Sequence, residues 1–115
     1  MAVAARFQSS VMIRHIVMFS CKDPADLDAV LRGLSLLTQI PHARILEVSR
    51  NEKIDQLAND IDVVVYGEFD TLEDFRAYKA HPLYEDSIRQ VRHLRDVRVA
   101  ADYNVVNAVR APVSA

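Results

Sequence analysis

The chain has 115 residues, 14 Lys and Arg against 16 Asp and Glu, a net charge of −2, and is 50% hydrophobic and 26% charged. This length and balance predict one soluble domain; the lack of any basic run or excess excludes electrostatic nucleic-acid binding, and every apolar stretch is too short to span a membrane. Cys21 is the single cysteine, which rules out an intrachain disulfide and Cys-based zinc patterns and makes a cytoplasmic setting the expectation.

Residues 1–11 lack the long apolar core of a secretory signal and are expected to form a flexible extension ahead of a domain over 12–106. From Ile13 to Ser20 the chain is rich in β-branched and aromatic residues, which predicts a strand. His15, Val17 and Phe19 share one face, Ile16 and Met18 the other. Asp23-Pro24 opens a helix, with Asp23 as cap and Pro24 at its first position. Leu27, Val30, Leu31, Leu34 and Leu37 form its apolar stripe, and Pro41 ends it. A second strand is expected over 43–49, a polar connection over 51–60 and the strongest strand over 61–69. In that strand Gly67 points to a close approach or a bend. Thr71 begins another helix with a Thr-x-x-acid capping pattern. A last strand is expected over 97–106, and 107–115 form a flexible tail.

The segment Tyr78-Lys79-Ala80-His81-Pro82-Leu83-Tyr84 interrupts the second helical region. Pro82 lacks an N–H, and its ring disfavours helical geometry at His81, so the helix is expected to break and restart there. Tyr78, His81 and Tyr84 recur at a spacing of three, which places them near one another along a helix. The break therefore walls one end of a candidate pocket. His81 is expected to cap helical carbonyls, Cys21 to be inert, and His42 and His93 to be solvated. Arg89, Arg92, Arg95 and Arg98 predict a solvated face partly paired with Asp86 and Asp96. The alternative, an anion site, requires the arginines to converge on a cavity.

The order β-α-β-β-α-β predicts an α+β, ferredoxin-like protomer, the split βαβ arrangement. Helices cover one sheet face. On this reading the face with His15, Val17, Phe19, Val63, Val65 and Phe69 has no cover within one protomer. At about 25 cal/mol per Å² of apolar area, leaving it wet costs many kcal/mol. A second copy, sheet against sheet, is the simplest cover, so a homodimer is expected.

From about Met12 to Val105 the chain resembles the stress-responsive dimeric α/β-barrel (Dabb) family. The resemblance rests on His15-Ile16-Val17-Met18-Phe19, on Val65-Tyr66-Gly67-Glu68-Phe69 followed by a capped helix start, on Tyr78-Lys79-Ala80-His81-Pro82, and on Asp102-Tyr103. It implies a ferredoxin-like protomer whose sheet pairs with another to form a barrel. There is a distant similarity to a plant member, olivetolic acid cyclase, which closes a polyketide by aldol condensation. On that resemblance Tyr78 matches a functional tyrosine, whereas Tyr84 stands where the cyclase has its basic histidine. A phenol with a pKa of roughly 10 is a poor base near neutrality.

These readings lead to a homodimer that binds a small, largely hydrophobic molecule in an internal cavity, with His15, Val17, Phe19, Val65, Tyr78 and Tyr84 in its wall. A cofactor-independent cyclase, isomerase or monooxygenase-like enzyme acting on a polyketide-like or aromatic substrate is the alternative, with His15, Tyr78, His81 and Tyr84 as catalytic candidates. A structural, stress-stable protein without a ligand is the third. No cofactor is expected, since no Gly-rich phosphate loop is present, and no metal-ligand spacing stands out.

Overall fold

The computed structural model of the protein describes residues 12–57 and 60–112. The expected extension over 1–11 and the end of the expected tail, 113–115, lie outside the described residues. Strands β1 (Ile13–Cys21), β2 (Ile45–Arg50), β3 (Val63–Phe69) and β4 (Arg95–Asn104) form one antiparallel sheet in the order β2-β3-β1-β4. Helices α1 (Leu27–Ser35), α2 (Leu72–Ala80) and α3 (Pro82–Val91) complete the α+β, ferredoxin-like arrangement.

The local chemistry explains where the helices begin and end. The Asp23 carboxylate accepts the Ala25 amide at 2.9 Å, and Pro24 opens a 3₁₀ turn that leads into α1. A second 3₁₀ turn, Leu36–Gln39, tightens the end of this helical region before Pro41. The Thr71 hydroxyl accepts the Asp74 amide at 3.0 Å and starts α2. His81 is extended (φ −69°, ψ 142°), so α2 stops there and α3 begins at Pro82. The His81 ring does not cap carbonyls: Nδ1 accepts the Leu83 amide at 3.1 Å. A restarting helix exposes free N–H groups, and an acceptor is what that position needs.

The sheet has a helix-covered face and a bare face, and they are the reverse of the sequence-based expectation. His15, Val17, Phe19, Val63, Val65 and Phe69 are buried beneath the helices, in one core with Val30, Leu34, Phe75, Tyr78 and Val91. The opposite parity of the same strands carries Ile16, Met18, Val64, Tyr66, Val99 and Ala101, all half-buried or exposed. Both parities are apolar, so alternation alone does not say which one the helices take.

Strand β4 starts at Arg95, before the expected boundary, and contains a β-bulge. Phe19 faces Arg98 while Cys21 faces Arg95, so Ser20 stands opposite both Asp96 and Val97. The Ser20 hydroxyl accepts the Val97 amide at 3.0 Å and secures the extra residue.

Close packing occurs at both glycines. A Cβ on Gly67 would lie 2.9 Å from the Phe69 ring. On Gly33 it would lie 2.6 Å from Val91 Cγ2, where α1 meets α3. Helix propensity favours Gly33→Ala by up to about 1 kcal/mol, but overpacking a core costs about 1–3 kcal/mol, and Val91 is fully buried. Gly33→Ala is therefore expected to lower the thermal midpoint, and Val91→Ala in the same chain to recover part of that loss. A thermal-unfolding double-mutant cycle that gives additive losses would show that the contact is not limiting.

Candidate functional site

A cavity opens between the covered sheet face and the helices. Val17, Phe19 and Val65 form its floor, and Leu34, Leu37, Ile88 and Val91 its apolar wall. His15, Tyr78, Tyr84 and Ser87 supply polar groups, and Arg95 and Arg98 complete the lining. The inner void is about 30 Å³, room for a water or two, while all the empty space including the open mouth is about 370 Å³.

The structure thus gathers His15, Val17, Phe19, Val65, Tyr78 and Tyr84 around one space. It leaves His81 out, since that ring caps α3 and meets His42 edge-on at 6.2 Å. The aromatic groups form a connected cluster: Tyr78 lies 4.9 Å from Phe69, 5.3 Å from Tyr84 and 6.3 Å from His15 between ring centroids. Phe75 packs 5.0 Å from the His15 ring.

His15 is 2% exposed, and its Nδ1 is held by the Asp102 carboxylate from the neighbouring strand. Burial pushes its pKa below the ordinary value, against the opposing pull of Asp102. The favoured neutral ring carries its proton on Nδ1, facing the carboxylate, and leaves Nε2 as an acceptor. Tyr78 is fully buried, and burial raises its pKa, with Tyr84 adding to the effect. Its hydroxyl stays protonated near neutrality, so it acts as a donor.

Sequence reasoning favoured a solvated face for the arginines and left an anion site as the alternative if they converged on a cavity. Arg89 takes Asp86 as its partner, as a solvated pair does. Arg95 and Arg98 line the cavity instead. On a regular strand residues three apart face opposite sides; the bulge adds the residue that brings both to the covered face. Asp102 was visible only as part of a motif, and its register opposite His15 is what gives it a role.

Cys21 is half-buried, and burial together with nearby Asp62 raises its pKa, so the thiol is not activated. Among the described residues no group of three His, Cys, Asp or Glu side chains is placed to hold a metal ion, and no helix is long and apolar enough to cross a membrane.

The sequence profile of the stress responsive A/B barrel domain, Dabb, matches residues 13–105. The chain belongs to the Dabb family. No curated relative matches it at a significant level. Among solved structures, a dimeric ferredoxin-like protein of unknown function from Thermobifida fusca is 26% identical, with a TM-score of 0.70 over 84% of this chain and 92% of that one. A Dabb protein with a ferredoxin-like fold from Mesorhizobium loti is 22% identical, with a TM-score of 0.67 over 90% and 99% of the two chains. A hydroxynitrile lyase from Passiflora edulis shares the fold at 15% identity, with a TM-score of 0.70 over 88% and 99%.

The burial of His15, which outweighs the pull of Asp102, gives this Dabb protein a signed pH dependence. In the unfolded chain the imidazole protonates near its ordinary value of about 6.5; in the folded chain it does so only at lower pH. Between those values the unfolded state binds more protons, so stability falls as pH drops below about 6.5 and levels off beneath the folded value. Chemical denaturation from pH 7.5 to 5 is expected to show this slope, and His15→Gln to flatten it. Equal slopes for the two proteins would remove His15 as the cause.

Proposed function

We propose that this protein is a homodimer that binds a small, largely hydrophobic molecule in the cavity of each protomer. The observation that carries the reading is the Tyr78 hydroxyl. It belongs to a fully buried side chain that borders the cavity beside His15, Tyr84 and Ser87. A phenol hydroxyl at that point donates to a ligand oxygen, and such a hydrogen bond fixes the orientation of a bound molecule. The surrounding Val17, Phe19 and Val65 favour an apolar body.

The dimer reading rests on the bare sheet face. Val99, at 51% exposure, stands on that face beside Met18 and Val64. At the same face Arg14 Nε is buried without a hydrogen-bond partner among the described residues. A second sheet covers the apolar patch and supplies acceptors, and the Thermobifida neighbour is described as dimeric.

A second reading, acid–base chemistry without a cofactor, is favoured by the His15–Asp102 pair and Tyr78 bordering the same space. Tyr78 as donor polarises a carbonyl or hydroxyl oxygen, while the free Nε2 of His15 accepts a proton. The Passiflora neighbour is a lyase, so this fold hosts at least one enzyme.

Benzyl alcohol is a suitable neutral probe of the cavity. Amide NMR titration is expected to shift resonances near Tyr78 and Ser87, and Ser87→Leu, which fills the void, to abolish the shifts while the spectrum remains dispersed. A wild-type spectrum untouched by this probe and by toluene would leave a purely structural role ahead. Val99→Lys is expected to convert the dimer to monomer in sedimentation velocity; a dimer that persists would place the interface elsewhere.

A further inference from the structure

We propose that the cavity selects apolar molecules bearing a single carboxylate, and that Arg95 and Arg98 hold this group at its mouth. The inference rests on the ligand-binding reading above and adds a chemical class to it.

The first support is positional. The bulge opposite Ser20 turns two arginines onto the covered face, where a regular strand presents one. Both then line the same cavity, beside the Tyr84 hydroxyl and above a floor of Val17, Phe19 and Val65. Arg98 Nη2 donates to the Tyr84 hydroxyl at 3.4 Å, and both residues line the cavity.

The second support is electrostatic. Neither Arg95 nor Arg98 forms an ion pair among the described residues. Asp86 is engaged by Arg89, and Asp102 is held by His15. Arg95 is half-buried, and its strongest charged neighbours are Arg98 and Arg92. Partial burial and like charge both lower its pKa. Two guanidinium groups gathered over an apolar chamber, without a carboxylate from the protein, are arranged to receive one from outside. The planar fork of arginine matches a carboxylate with two parallel hydrogen bonds.

Size narrows the class further. The inner void of about 30 Å³ takes no more than a small group, and the rest of the roughly 370 Å³ of empty space includes the open mouth, where the arginines stand. A single ring or a short branched chain fits that shape better than a long acyl tail. The hydroxyl of Tyr78, deeper in, meets an oxygen at the far end of such a molecule.

The test compares benzoate, benzyl alcohol and inorganic phosphate by amide NMR titration of the full chain. Benzoate is expected to bind about tenfold or more tightly than benzyl alcohol, the scale of a charge-assisted pair. Arg98→Gln is expected to bring that ratio close to one and Arg98→Lys to keep part of it. Arg44→Gln, which disturbs only the exposed pair with Asp70, is expected to retain the full ratio. Equal affinities for the two aromatic probes, or an Arg98→Gln ratio like the wild type, would overturn the carboxylate site and leave the cavity reading standing. Phosphate binding as tightly as benzoate would overturn the need for an apolar body. If neither aromatic probe binds, the cavity reading falls and this inference with it.

Discussion

His15 meets Asp102 and Arg14 meets Tyr103 across the paired strands β1 and β4, one pair on each side of the sheet. These contacts matter because both parities of β1 are apolar. Hydrophobic burial discriminates weakly between registers when either face suits a core, and a slip by a single residue exchanges the faces. The polar pairs break that tie. Exchanging the faces would drive Arg14 under the helices and carry His15 away from its carboxylate. The guanidinium of Arg14 lies 5.8 Å over the Tyr103 ring, which adds a further preference for the observed pairing. Helix packing, the cavity floor and the bare face follow from this choice.

The second constraint is the joint at His81 and Pro82. The break gives two helices. From α2, Phe75 and Tyr78 point into the core; from α3, Tyr84 and Ser87 reach the cavity. His81 shows how one residue serves both ends: its amide donates to Tyr78 O at 3.2 Å while its ring accepts the first free amide beyond Pro82. The same geometry that ends one helix starts the next, and it keeps His81 out of the cavity lining.

Local signals in the sequence were sufficient for the elements themselves. Asp23-Pro24, Thr71 with Asp74, and Pro82 each act through neighbours a few residues away, so spacing reveals them. The β-α-β-β-α-β order follows from such local signals, whereas the family resemblance rests on short motifs such as His15 to Phe19 and Asp102-Tyr103. Which sheet face the helices cover was not legible, because Val17 and Met18 are equally suited to burial and the deciding contacts, such as His15 with Asp102, span the length of the chain. The placement of Arg95 and Arg98 on one cavity was not legible for another reason. Their spacing argues for opposite faces, and only the pairing of Ser20 with two residues of β4 reverses that.

The bulge at Ser20 divides β4 into two reading frames. From Arg98 onward, even positions face the helices; at Arg95, before the extra residue, an odd position does. Correspondences between family members drawn by counting along this strand are therefore unsafe across Asp96 and Val97. A relative that keeps both arginines but loses one intervening residue would still look alike in an alignment, yet would turn Arg95 or Arg98 toward the other side of the sheet. Conversely, a shift of an arginine by one place could preserve the site in a bulge-free relative. For this strand, likeness of function has to be judged by frame as well as by residue.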